Sequence, residues 1–182
     1  QLSTVDTLMC VVRAFTDTSI PHPQGSLDVK RDIGTINMEL VFSDLAIMER
    51  RLEKLETSLK GAKPGERQGF LQEKDILLRF KSELEKDKPL RALPMEAAET
   101  RIITNYQFLT AKPLLIVVNI GEEQIPGITS LEAEINSQYA GTKCRAIALC
   151  GKLEMELAQL EENVAREFRD GYGVTESGLE RR

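Results

Sequence analysis

Residues 113–123 read PLLIVVNIGEE, an apolar run that stops on Asn119 and reaches a carboxylate at Glu122. Consecutive β-branched and aliphatic residues without polar alternation mark a strand buried on both faces, as in a parallel sheet. Two more runs frame it. Residues 5–15, VDTLMCVVRAF, predict another strand buried on both faces, and 143–149, KCRAIAL, a shorter third. Between the second and third, Leu131, Ile135 and Tyr139 fall at helical spacing behind Thr129 or Ser130 as N-cap. Strand, helix and strand with short loops predict a right-handed βαβ unit, hence an α/β core with parallel strands.

Residues 32–60 read differently. Val41, Leu45, Met48, Leu52, Leu55 and Leu59 alternate spacings of four and three, the seam of a coiled coil. Gly and Pro in 60–66 break that helix, and Phe70, Leu77, Phe80 and Leu84 line one face of a second. Together they predict an antiparallel helical hairpin, residues 32–91, inserted into a core made of 1–31 and 92–182. A third helix is expected over about 95–109, acidic helices at 153–160 and 163–168, and the start of another in 174–182.

Bulk properties narrow the function. The chain has 182 residues, 41% hydrophobic and 29% charged, with net charge -5 and a pI near 5.1. No apolar run reaches the ~20 residues that span a bilayer, and the acidic balance does not favour nucleic acid. Cys10, Cys144 and Cys150, odd in number and strand-associated, read as reduced thiols of a cytoplasmic protein. A single histidine, His22, and no CxxC pair argue against zinc. The chain opens on Gln1 beside strand-like sequence, and reads as a piece of a longer protein.

Ligands of parallel sheets bind beyond the carboxyl ends of the strands. Asn119 stands at one such end and Cys150-Gly151-Lys152 at the next. An asparagine amide can donate and accept at the edge of a flat heterocycle, backbone N–H groups near Gly151 can meet it, and the Lys152 stem can cover a ring face. On spacing alone, Asn119 opening a turn and Gly151 relieving a tight loop explain the same residues.

Several strings in this order resemble the Obg-like ATPase family, the YchF branch of the translation-factor P-loop GTPases. They are VDTLMCVVRAF (5–15), IPHPQGSLDVKRDI (20–33), INMELVFSDLAIMERRLEKLE (36–56), FLTAKPLLIVVNIGEE (108–123), ALCGKLEMELAQLEE (148–162), FRDGYG (168–173) and ESGLERR (176–182). The resemblance implies a partial P-loop NTPase, a G-domain-like three-layer α/β core with parallel strands, carrying the coiled-coil hairpin. It implies that Asn119-Ile120-Gly121-Glu122 stands where such GTPases carry Asn-Lys-x-Asp, with Glu122 replacing the base-reading aspartate and ATP accepted beside or instead of GTP. Cys150, Gly151 and Lys152 would be the loop that closes over the base.

No GxxxxGK[ST] string occurs in these residues, and Asp170-Gly-Tyr-Gly173 reads as a helix C-cap instead of a switch. In the resembled family the phosphate loop and magnesium-binding residues lie ahead of the segment matching residue 1, and a further domain lies beyond the segment matching Arg182. The expected partners are a nucleotide and a ribosome or RNA, with magnesium relevant only to a complete protein. A homodimer through the open edge of the first strand or through the hairpins is a further expectation. His22 reads as structural, and the Arg50, Arg51, Lys54, Lys60, Lys63 and Arg67 set as a solvated face that RNA could touch. The alternative to the nucleotide reading is a non-catalytic relative acting as a protein or RNA interaction module.

The chain of 182 residues on its own is expected not to hydrolyse ATP or GTP, since phosphate loop and magnesium carry most of that catalysis. Phosphate release above a blank, surviving further purification, would contradict this.

Overall fold

The computed structural model describes residues 4–172. They form two compact units, one of 4–8, Gly34–Pro113 and Gly141–Lys143, the other of Met9–Ile33, Leu114–Ala140 and 144–172.

The second unit holds the sheet. β1 (Leu8–Arg13), β2 (Leu114–Asn119) and β3 (Cys144–Leu149) lie side by side in that order. β2 and β3 run parallel with Leu114 opposite Cys144 and Asn119 opposite Leu149. Leu8 N–H donates to Pro113 O and Ala14 N–H to Asn119 O, a constant offset that sets β1 parallel to β2. β2 is the central strand, and Ile116 and Val118 are fully buried. β1 departs from expectation. Met9 is 66% and Val11 62% exposed, because they share the face of β1 that nothing among the described residues covers, while Leu8 and Val12 on the opposite face are buried.

The opposite edge is closed by a device that hydropathy does not show. α4 (Ile128–Gln138) packs beside β3 and lends it side chains. Asn136 accepts from Ala146 N–H (2.8 Å) and donates to Ala146 O (2.9 Å), imitating a fourth strand. Glu132 accepts from Ala148 N–H at 2.7 Å. Bare edge groups are thereby met without another strand. α4 starts at Ile128 with Gly127 as cap, not at Thr129 or Ser130, because a 3-10 turn over Glu122–Gly127 feeds straight into it. α5 (Gly151–Leu157) and α6 (Glu162–Gly171) follow β3. α6 ends at Gly171, and Gly173 and the 174–182 expectation lie outside the described residues.

His22 has a structural place in this unit. Its Nδ1 accepts from Gln24 N–H (3.2 Å), and Nε2 lies 3.0 Å from Asp32 Oδ2, close enough to pair but not aligned as a hydrogen bond. Arg31 joins Ser26 to Asp32 beside it.

The first unit is the helical hairpin and its base. α1 (Val29–Gly61) contributes its length from Gly34 onward, and α2 (Pro64–Leu84) returns beside it after a two-residue link. Glu49 pairs with Lys81 and Glu56 with Lys74, so the partner's number falls as α1 advances and the pair is antiparallel. Met48, Leu55, Leu77, Phe80 and Leu84 are buried together with Leu90 and Phe108. Truncating a fully buried leucine such as Leu55 costs about 2–5 kcal/mol in comparable cores, so these contacts hold the arm. Arg51 grips Glu73 with two hydrogen bonds (2.7 and 2.8 Å). Tyr106 donates to the same carboxylate, and burial with that neighbour pushes its hydroxyl pKa up to about 12. Arg50 and Arg67 bond backbone carbonyls of Ala46 and Leu59. Half of the basic set at the hairpin is therefore used within it.

α3 (Ala97–Tyr106) is shorter than expected. Gln107 takes a left-handed conformation, φ 53, and a 3-10 turn follows over Leu109–Ala111. The cause is Asp44. This fully buried aspartate on α1 accepts from Leu109 N–H (2.8 Å), Thr110 N–H (2.7 Å) and Thr110 Oγ1–H (2.6 Å). Amides held by Asp44 cannot continue a helix. Burial raises the Asp44 pKa against the opposing pull of these three bonds and of Arg91.

Asp44→Asn keeps the shape but turns an NH2 donor toward backbone donors. The fold should lose about 3 kcal/mol, read as a fall in urea midpoint. An unchanged midpoint would show that Asp44 does not pin this turn.

Candidate functional site

At the carboxyl ends of the three strands the chain leaves a cleft of about 450 Å³, all within the sheet unit. Phe15, Thr16 and Asp17 come from the end of β1, Asn119 to Glu123 from β2, and Cys150 and Lys152 from β3. Five of the six residues nominated from sequence, Asn119, Ile120, Glu122, Cys150 and Lys152, line it. Gly151 is not part of the lining, and its N–H is spent on Asn119 Oδ1 instead of facing a ligand as expected.

Asn119 is fixed from two sides. Its backbone carbonyl accepts from Ala14 N–H (2.7 Å) and its Oδ1 from Gly151 N–H (2.9 Å). The first amides of a helix have no acceptor within it, and here Oδ1 serves the first amide of α5. The Asn119 NH2 has no hydrogen-bond partner among the described residues, so it is the end available to a ligand. Ile120 is only 2% exposed, and its N–H extends the sheet by bonding Leu149 O at 2.9 Å. Cys150, at 5% exposure, is the cap residue of α5. These two are wall more than rim. Gly121 N–H bonds Gln124 Oε1 (2.8 Å), which shapes the turn presenting Glu122.

Glu122 and Lys152 meet across the cleft. Lys152 Nζ donates to Glu122 Oε1 at 2.8 Å and lies 4.0 Å from Glu156. Both are solvated, at 67% exposure for Lys152 and 37% for Glu122. The Glu122 carboxylate raises the Lys152 pKa, so its ammonium stays protonated. Asp17 is held below the usual carboxylate range by hydrogen bonds from the Ser19 hydroxyl and backbone N–H. Asp17, Glu122 and Glu123 thus face one lysine in the lining. Such a rim accepts N–H donors and disfavours anions.

Sequence reading missed Phe15, Thr16 and Asp17. The signal was present: the same strand-end rule that selects Asn119 selects whatever follows β1. Among the described residues no three metal-binding side chains gather as a metal site, and no helix is long and apolar enough to cross a membrane.

No protein-family model matches the chain. Individual relatives do. The ribosome-binding ATPase YchF of Bacillus subtilis is 34% identical over 178 residues, covering 97% of this chain and 48% of that protein. Obg-like ATPase 1 of Caenorhabditis elegans is 30% identical over 96% of this chain and 44% of its own length. The solved YchF GTPase of Schizosaccharomyces pombe superposes with a TM-score of 0.78 at 28% identity, covering 94% of this chain and 47% of that one. The chain therefore spans about half the length of the relatives it matches.

A Cβ built at Gly151 would sit 3.0 Å from Asn119 Oδ1 and 3.2 Å from Nδ2. Gly→Ala in a helix ordinarily stabilises by up to about 1 kcal/mol. Here crowding against a side chain anchored through Oδ1 to the Gly151 N–H itself should reverse the sign, and Gly151→Ala is expected to destabilise by about 1–2 kcal/mol. A raised melting temperature in that variant would refute the close Asn119–Gly151 packing.

Proposed function

Because the chain is homologous, along almost all its length, to part of an Obg-like ATPase of the YchF branch, we propose that it forms the base-reading side of a purine nucleotide site, for ATP, GTP or both. The observation that carries this reading is Asn119, held by Gly151 through Oδ1 with its NH2 left for a ligand at the strand ends. The Glu122 carboxylate supplies an acceptor for a base N–H, Lys152 offers a stem for a ring face, and Ile120, Cys150 and Gly151 form the wall and backbone around them.

The charge of the lining supports the base end of the nucleotide and not its phosphates. Three carboxylates against one ammonium would repel a triphosphate, whose usual partners are backbone N–H groups, a lysine and magnesium. These residues do not fit a magnesium–triphosphate group, and no step of hydrolysis is assigned to them. In a complete protein that chemistry belongs to other residues. The relatives' printed names support a cytoplasmic protein that works with the ribosome. In this reading residues 1–31 and 92–182 are the core, and 32–91 an inserted docking arm.

Asn119→Asp separates holding from reading. The carboxylate keeps an acceptor for Gly151 N–H but removes the NH2 donor. In the full-length gene product, ATP and GTP affinity should fall about tenfold or more, while inorganic tripolyphosphate binds as before. Nucleotide affinities equal to wild type would overturn the assignment.

A further inference from the structure

Helix α2 carries a second stripe besides its buried seam. Leu77, Phe80 and Leu84 are buried in the hairpin core, whereas Gln68, Leu71, Asp75 and Leu78 follow one another at spacings of three, four and three. That is the period at which one helix packs against another, yet Leu71 is 43% and Leu78 45% exposed. Beside the stripe, where α3 begins, lies a hollow of about 450 Å³ whose lining includes Leu71, Asp75, Ile76, Glu96, Ala98 and Glu99. We propose that this groove docks an amphipathic helix of a partner protein, with apolar residues over Leu71 and Leu78 and an arginine or lysine between them against Asp75.

Scattered exposed leucines need no explanation. Here their helical register, the hollow beside them and the charge within it coincide. Of the carboxylates in the lining only Glu99 is matched: it pairs with Arg79 at 2.5 Å and accepts from Glu96 N–H at 2.8 Å. Neither Asp75 nor Glu96 has an ion-pair partner among the described residues. A negative, partly apolar groove attracts a guanidinium or ammonium and repels phosphate, which sets aside RNA and anionic lipid. A second copy fares no better, since a two-fold contact through this stripe would set one acidic groove against another. A wholly apolar helix would bury the Asp75 carboxylate without a partner. A basic residue in register removes that penalty, so Asp75 selects the partner by charge while the leucines supply contact area. The adjoining hollow, which shares Gln72, Ile76 and Ala98, carries Arg101 and the Arg51–Glu73 pair, so the negative stretch is confined to the Leu71 side.

The test is fluorescence anisotropy on the full-length gene product. The probe is a labelled alanine-based helix of about 20 residues, with two leucines one heptad apart and two arginines between them. Its control carries glutamates in place of the arginines. Wild type should bind the arginine peptide about tenfold more tightly than the glutamate peptide. Asp75→Lys should reverse that preference, a result unfolding cannot imitate because the variant gains a ligand. Leu71→Ser combined with Leu78→Ser should weaken the arginine peptide about tenfold. Wild type binding neither peptide, or both alike, would overturn the proposal, as would Asp75→Lys keeping the wild-type preference. A dimer seen by light scattering and lost in Asp75→Lys would give the face to a second copy. Single-stranded RNA displacing the peptide would give it to nucleic acid, and either result overturns the proposal.

Discussion

Asn119 spends its two oxygens on two different neighbours, and the carboxyl ends of all three strands depend on it. The backbone carbonyl takes Ala14 N–H just beyond β1, Oδ1 takes Gly151 N–H just beyond β3, and the residue itself ends β2 opposite Leu149. An apolar side chain at this position would leave the first amide of α5 without an acceptor. A longer polar one would not fit against Gly151, whose missing Cβ makes room for the amide. The cleft exists because the strand ends are tied behind it instead of being left to collapse into it.

The helical unit relies on the same economy. Its apolar seam sets the register of α1 against α2, but hydrophobic contact does not decide where the chain leaves α3. Asp44 does, by taking two consecutive backbone amides and a hydroxyl in a site closed to water. A buried carboxylate with three donors is tolerated where one with none would be strongly unfavourable. In both units a single polar side chain satisfies backbone groups that regular structure cannot reach, and the local path of the chain follows from it.

That pattern explains what could be read in advance. β2, β3, the hairpin seam and the resemblance to the Obg-like ATPases were legible because burial imposes a period and an order of elements on the sequence. Asn119, Glu122, Cys150 and Lys152 were legible because parallel strands deliver their C-terminal residues to one place. Asp44 was not, since an aspartate amid Glu, Arg and Lys on a long helix has the periodicity of a solvated position. The Asn136 and Glu132 caps on β3 were hidden for the same reason: a polar residue on a helix does not announce that it faces a strand. The two-sided burial expected of β1 failed because an apolar run records what a strand can bury, not what lies beside it.

The two kinds of polar contact at the cleft answer differently to ionic strength. Asn119 to Gly151 is a neutral hydrogen bond inside the wall, and dissolved ions leave it nearly untouched. Glu122 to Lys152 is a solvated ion pair, and screening over about 8 Å at physiological salt weakens such pairs. The shape of the cleft is thus independent of the charges on its rim. In the proposed function the tied strand ends keep the place for a base, and the charged rim beside it is a pair that water and ions can loosen. A rim built on a buried ion pair would not permit this, because removing either partner would strand a charge and disturb the wall itself.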